Sequence, residues 1–147
     1  MKTKDTLKRA SAKLGDNVVL EGLLRMNGRL KNNLGSQPSD VVGFDYLVHH
    51  EDSCYEYYEA NPPLIGLTQP VPVLCPVGIM VFDEYKVDYI EAIKIFHSGN
   101  WGSYFTSIVL CKPLVYPPAE EPLWYFMSDT HVCVVIGANS GNVLMPK

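Results

Sequence analysis

Alternation of apolar and polar residues is clearest in the last third of the chain. YFTSIVLC (104–111), LWYFM (123–127) and HVCVVIG (131–137) place apolar side chains at every second position, the period of a strand. One face of the predicted sheet holds Ile108, Leu110, Trp124, Phe126, Val132, Val134 and Ile136. The other holds Ser107, Val109, Cys111, Leu123, Tyr125, Met127, His131, Cys133 and Val135. Only SDT separates the second run from the third, which predicts an antiparallel hairpin; KPLVYPPAEEP is a rigid, proline-rich connection between the first two. The first face is apolar enough to receive a helix. The second is mixed, so it needs a cover of its own: the N-terminal segment, a partner chain or a ligand.

A helical period precedes these strands. Tyr89, Ile90, Ala92, Ile93 and Phe96 share one face, with Glu91 and Lys94 opposite. Asp88 and Glu91 have the spacing of a capping box, Gly99 stands where a left-handed C-terminal cap belongs, and His97 reads as a capping or surface histidine near the helix end. Further upstream, VVGFDYLVHH (41–50) predicts a strand with Val42, Phe44, Tyr46 and Val48 on one face. EDS turns the chain, and CYEYYEA reads as the returning strand. NPPLIGLTQPVPVLCPVG (61–78) contains five prolines, which points to an irregular wrapping segment or a proline-marked edge. At the start, Asp5 to Lys13 predicts a short helix, with Leu7 and Leu14 a heptad apart. Asn17 to Leu34 is open between a helix, on the stripe Leu20, Leu23, Leu24 and Leu30, and a strand through NVVLEGLL. LGSQPSD (34–40) is a turn-rich break and a candidate hinge.

The resulting fold class is α+β: one amphipathic helix across a curved antiparallel sheet (41–147), preceded by a basic, partly helical arm (1–40), in a single domain. Charge gives the arm its character. Residues 1–31 carry eight bases and three acids, +5; residues 32–147 carry four bases and thirteen acids, −9; together these make the net −4. Such an arm meets either an anionic partner or its own acidic body. Its interleaved apolar residues favour the body, or a second copy, over nucleic acid. No run of 18 apolar residues predicts a membrane span, and the N-terminal stretch makes a poor secretory segment. Cys54, Cys75, Cys111 and Cys133 show no CxxC spacing, so the expectation is reduced thiols and a cytoplasmic protein.

IFHSGN (95–100), FTSIVLCKPL (105–114), EPLWYFM (121–127) and VVIGANSGNV (134–143) together resemble a PepSY-type or cystatin-like unit over residues 88–143. In such units one helix crosses an antiparallel sheet, and the last hairpin ends in an aromatic strand and a small-residue turn, here Ala138 to Val143. The resemblance implies a binding or protease-inhibiting module rather than an enzyme. The turn departs from the pattern by lacking an acidic residue, and no export signal is visible.

Candidate chemistry is sparse. HHEDSC (49–54) has metal-binding residue types, but neighbours on a strand point to opposite faces, so it reads as a solvated hairpin tip. His131 and Cys133 share a predicted strand face about 6–7 Å apart, too far for an activated thiol. No phosphate-binding loop, nucleophile elbow or HExxH is present. We therefore expect no catalytic residues, metal or cofactor. Nine tyrosines and two tryptophans in an acidic chain point instead to protein binding, with inhibition or neutralisation of the partner as its outcome. The expected contacts are Trp101, Tyr104, Tyr125, Tyr57 and Tyr58, with Glu56 and Glu59 steering a basic partner. A homodimer through the second sheet face fits the same pattern. The alternative is a small-ligand binder or enzyme with a pocket between helix and sheet, lined by residues such as Asp45, Tyr46 or His131.

Overall fold

Two β-meanders meet along the middle of one antiparallel sheet. The computed structural model describes residues 3–15, 20–115, 117 and 119–146. Within these, the elements run α1 (Thr3–Leu14), β1 (Gly22–Leu30), β2 (Val41–His50), β3 (Ser53–Ala60), β4 (Val71–Val73) and β5 (Ile79–Met80), then α2 (Tyr89–Ser98), β6 (Phe105–Pro113), β7 (Leu123–Ser128), β8 (Cys133–Gly137) and β9 (Val143–Met145). The strand order is β4-β3-β2-β1-β6-β7-β8-β9, with β5 paired to β6 off this path. Parts of NVVLEGLL and of KPLVYPPAEEP, residues 16–19, 116 and 118, lie outside the described residues, as does Lys2 of the basic segment.

Register shows how the pattern makes two faces. Tyr57, Tyr46, Met26, Leu110, Trp124 and Ile136 pair in one continuous row across β3, β2, β1, β6, β7 and β8. This is the inner face, and α2 seals its C-terminal half by burying Ala92, Ile93 and Phe96. The Phe96 ring stacks on Phe126 at 5.1 Å and meets Phe105 edge-on at 5.5 Å. Side chains of this size, fully buried, contribute about 1.5–3 kcal/mol each. The predicted strand faces of residues 104–137 hold for Ile108, Leu110, Trp124, Phe126, Val134 and Ile136, all buried. Where the sequence predicts one helix against the sheet, α1 is a second, with Leu7 and Ala10 buried in the same core.

Residues 22–30 are the central strand, which resolves the open reading of 17–34 there and takes them out of any arm. A Cβ on Gly28 would stand 2.5 Å from Ile108 Cγ2, so this glycine permits the close approach of β1 to its neighbour and is not a weak helix position. The break at 34–40 is tied by its own hydrogen bonds: the Asp40 carboxylate accepts from the backbone N–H groups of Ser36 (2.9 Å) and Gln37 (3.1 Å). These bonds, that from Ser36 first, hold its carboxyl below the usual range.

Several local expectations are corrected. Gly99 is extended (φ −100°), not left-handed, and the Trp101 ring lies so close that a Cβ there would be 2.2 Å from it. Ile90 is 40 % exposed instead of lying on the buried helix face. His131 sits in the turn at φ 65°, so it does not share a strand face with Cys133. Cys54 and Cys75 form a disulfide, which ties the proline-rich segment back to β3 and corrects the reduced-thiol reading. Because disulfides persist in oxidising compartments, the sequence ground for a cytoplasmic location falls with it. Among the described residues no helix is long and apolar enough to cross a membrane.

Candidate functional site

The basic N-terminal residues turn onto the acidic body. Lys4, Arg9, Arg25 and Arg29 pair with Glu84, Glu59, Glu56 and Asp45. Of these, Arg9 with Glu59 is the best formed: Arg9 Nε donates to Oε2 at 2.8 Å and Nη2 to Oε1 at 2.7 Å, the bidentate geometry of a strong pair. The Thr6 hydroxyl donates to Glu59 Oε1 at 2.8 Å, which leaves it to accept from the Tyr57 hydroxyl at 3.0 Å. Burial works to raise the Glu59 carboxyl, but the Arg9 and Thr6 hydrogen bonds and the Arg9 charge outweigh it and hold it below the usual range. This network docks α1 on β3 and so makes one wall of a groove.

The groove, about 720 Å³, runs between α1, the inner sheet face and the head of α2. Its floor is aromatic: Phe44 and Tyr46 from β2, with Tyr85 and Tyr89 from the approach to α2. The Phe44 ring meets Tyr89 edge-on at 5.4 Å and Tyr46 at 6.3 Å, while Tyr46 stacks on Tyr57 at 5.1 Å. Burial, helped by the neighbouring Tyr85 and Tyr57 phenols and the Glu59 charge, pushes the Tyr46 phenol far up, so it stays neutral and a hydrogen-bonding group. Across from α1, Asp88 caps α2 by accepting from Glu91 N–H at 2.9 Å. Residues 60–67 form the outer lip, held in shape by Ala60 N–H to Gly66 O (2.8 Å) and Asn61 N–H to Val42 O (2.8 Å). On this lip Leu64 is 53 % and Ile65 is 99 % exposed. Gln69 Nε2 donates to Lys13 O at 2.9 Å, tying the same segment to the end of α1.

The seven residues expected from sequence are not brought together. Tyr57 is 2 % exposed and lies with Glu59 on the inner face under α1, so neither presents a free surface group. Glu56 and Tyr58 lie on the opposite, outer face, where Arg29 stacks over the Tyr58 ring at 4.2 Å and Arg25 approaches Glu56 at 4.0 Å. Tyr125 is also outward, in the row Tyr58, Asp45, Asn27, Val109, Tyr125, Val135 and Met145. That row runs from charged on the N-terminal meander to apolar on the C-terminal one. Trp101 is partly buried over Gly99 and against Phe96, and its carbonyl accepts from the Thr130 hydroxyl. Tyr104 is 43 % exposed beside it. Of the residues suggested for a pocket, Tyr46 lines the groove, Asp45 faces outward in a pair with Arg29, and His131 is in the β7–β8 turn. Cys54 of HHEDSC is in the disulfide and is not an available thiolate ligand.

Sequence reading missed the lip and the α1 wall. The signal available was LIGL, four residues with three large aliphatics inside a proline-marked, non-strand segment. No known protein family, curated protein or solved structure matches the chain.

Proposed function

We propose that this chain is a non-catalytic protein-binding module that seats a segment of its partner's chain in the groove between the two helices. The observation that carries this reading is the apolar lip. Leu64 and Ile65 stand exposed on the rim of the groove, an apolar pair that a polypeptide laid along it would cover. The groove volume lies within the range of small-molecule pockets, so volume does not separate a small ligand from a polypeptide; the exposed lip supports the peptide reading. Binding is favoured over catalysis because the polar groups of the wall are committed to each other. Thr6, Arg9 and Glu59 form a closed network, and Asp88 caps a helix. The PepSY-type or cystatin-like resemblance of residues 88–143 points the same way, to a module that binds and inhibits.

A second reading concerns self-association. The outer face of the C-terminal meander carries Val109, Tyr125, Val135 and Met145 in one row, ending on Met145 at 53 % exposure, which suits a homodimer.

Peptides selected from a random dodecapeptide display library against the full chain test both readings. The expected hits bind the wild type and weaken at least about tenfold against Ile65→Asp, a change equivalent to ~1.4 kcal/mol. Hits indifferent to Ile65→Asp but lost in Tyr125→Ala would move the site to the outer face. A monomer in sedimentation velocity at high concentration would remove the dimer.

A further inference from the structure

We infer that the groove takes a lysine side chain of the partner, its alkyl stem on the aromatic floor and its ammonium among the carboxylates of the rim. This rests on the groove being the binding site, and it adds the chemistry of the occupant.

Charge is the first ground. Three carboxylates line the groove, Asp5 on α1, Glu59 on β3 and Asp88 at the head of α2, against one cation, Arg9. Arg9 is paired with Glu59 in the bidentate geometry, and Asp88 accepts from Glu91 N–H through one oxygen only, so Asp5 and Asp88 carry charge that no further cation on the described lining balances. Each sits in or beside the first turn of its helix, where the dipole supplies roughly half a positive charge. Setting those two halves against two full negative charges leaves the described lining net negative. An anionic or neutral partner group gains nothing from that arrangement, and a cation does.

The floor is the second ground, and it is independent of the first. Aromatic rings on a desolvated surface attract a cation through their faces and accept a methylene stem by ordinary burial. Phe44, Tyr46, Tyr85 and Tyr89 converge on one groove. Lysine satisfies both requirements with one side chain: four methylenes for the rings and a compact charge for the carboxylates. The lip residues Leu64 and Ile65 then meet apolar neighbours of that lysine in the partner.

The probe is the tripeptide acetyl-Leu-Lys-Leu-amide, run beside its norleucine and acetyl-lysine counterparts, in ¹H–¹⁵N titrations of the full chain. We expect the lysine peptide to bind on the order of tenfold tighter than the norleucine peptide. The shifts should centre on Tyr46, Tyr89 and residues 60–67, and acetylation should erase the advantage. Asp5→Asn with Asp88→Asn, which keeps a competent helix cap, should reduce the lysine preference severalfold and leave norleucine binding in place. Equal or tighter binding of norleucine at the same residues would overturn the lysine assignment while leaving the groove as the site. Absence of shifts at those residues with all three peptides would overturn both. A lysine preference unchanged in the double variant would also sink the assignment, because the carboxylates would then have no part in it.

Discussion

The two helices lie on the same face of the same sheet and are held there by different physics. α2 buries Ala92, Ile93 and Phe96, and its attachment is an aromatic cluster with Phe105 and Phe126. α1 is a polar helix that buries Leu7, Ala10 and Thr6 and is fastened through Thr6 and Arg9 to Glu59 and Tyr57. Apolar burial involves no titrating group and is not screened by salt; a charge-assisted network titrates and is screened. The groove lies between them, so one wall is permanent and the other is fastened by groups that titrate. The segment carrying the outer lip is tied to α1 through Gln69 and to β3 through the disulfide.

Phe96→Ala should break the comparison on its strong side. Removing a fully buried ring costs about 3–5 kcal/mol, read as a large fall in the denaturation midpoint of the whole chain. A fall below 1 kcal/mol would mean that α2 is not the anchor. Next comes the disulfide. Cys54→Ala with Cys75→Ala opens a link spanning 21 residues and should cost about 3 kcal/mol. Hydrogen exchange should then rise in residues 61–78 and at the end of α1, with α2 little changed.

Glu59→Gln sharpens the comparison from the other side. It removes the charge from the α1 network, and because Arg9 is half exposed the loss should be about 1–2 kcal/mol. It should appear as faster amide exchange in α1 alone. The pH dependence has a definite sign. Glu59 titrates lower in the folded state than unfolded, so its contribution is full above the unfolded carboxyl range, about 4.3, and is lost as pH falls through the folded value. Asp40 and Glu121, both also held low, add acid sensitivity of the same sign to the whole fold. The α1-specific part should vanish in Glu59→Gln. The smallest effect is expected from Glu56→Gln, whose pair with Arg25 is long and solvated: within about 0.5 kcal/mol.

Legibility followed the range of the interactions. The faces of β6, β7 and β8 could be read because alternation and a short hairpin are local properties. So could the Asp88 cap, an acceptor three residues from its donor. The Ala138–Val143 turn illustrates the limit: Asn139 and Ser140 N–H both donate to Glu121 at 2.8 Å, an acceptor that lies before β7 and is not local to the turn. Tyr57 is another case. Its position among Tyr55, Tyr58 and two glutamates reads as an amphipathic surface, yet it is buried, stacked on Tyr46 and bonded to Thr6 of a helix 51 residues earlier.

By itself, then, the sequence determined an α+β chain with an apolar sheet face, a capped amphipathic helix and a basic N-terminal segment drawn to an acidic body. These follow from period, capping chemistry and net charge, which neighbouring residues settle among themselves. Only the tertiary structure decided that β1 runs down the centre of the sheet, that Cys54 meets Cys75, and that α1, α2 and the proline-rich lip enclose an aromatic groove. Each of those depends on segments far apart in the chain arriving at one place, and such contacts form when the whole core is buried, not when any one stretch adopts its preferred shape.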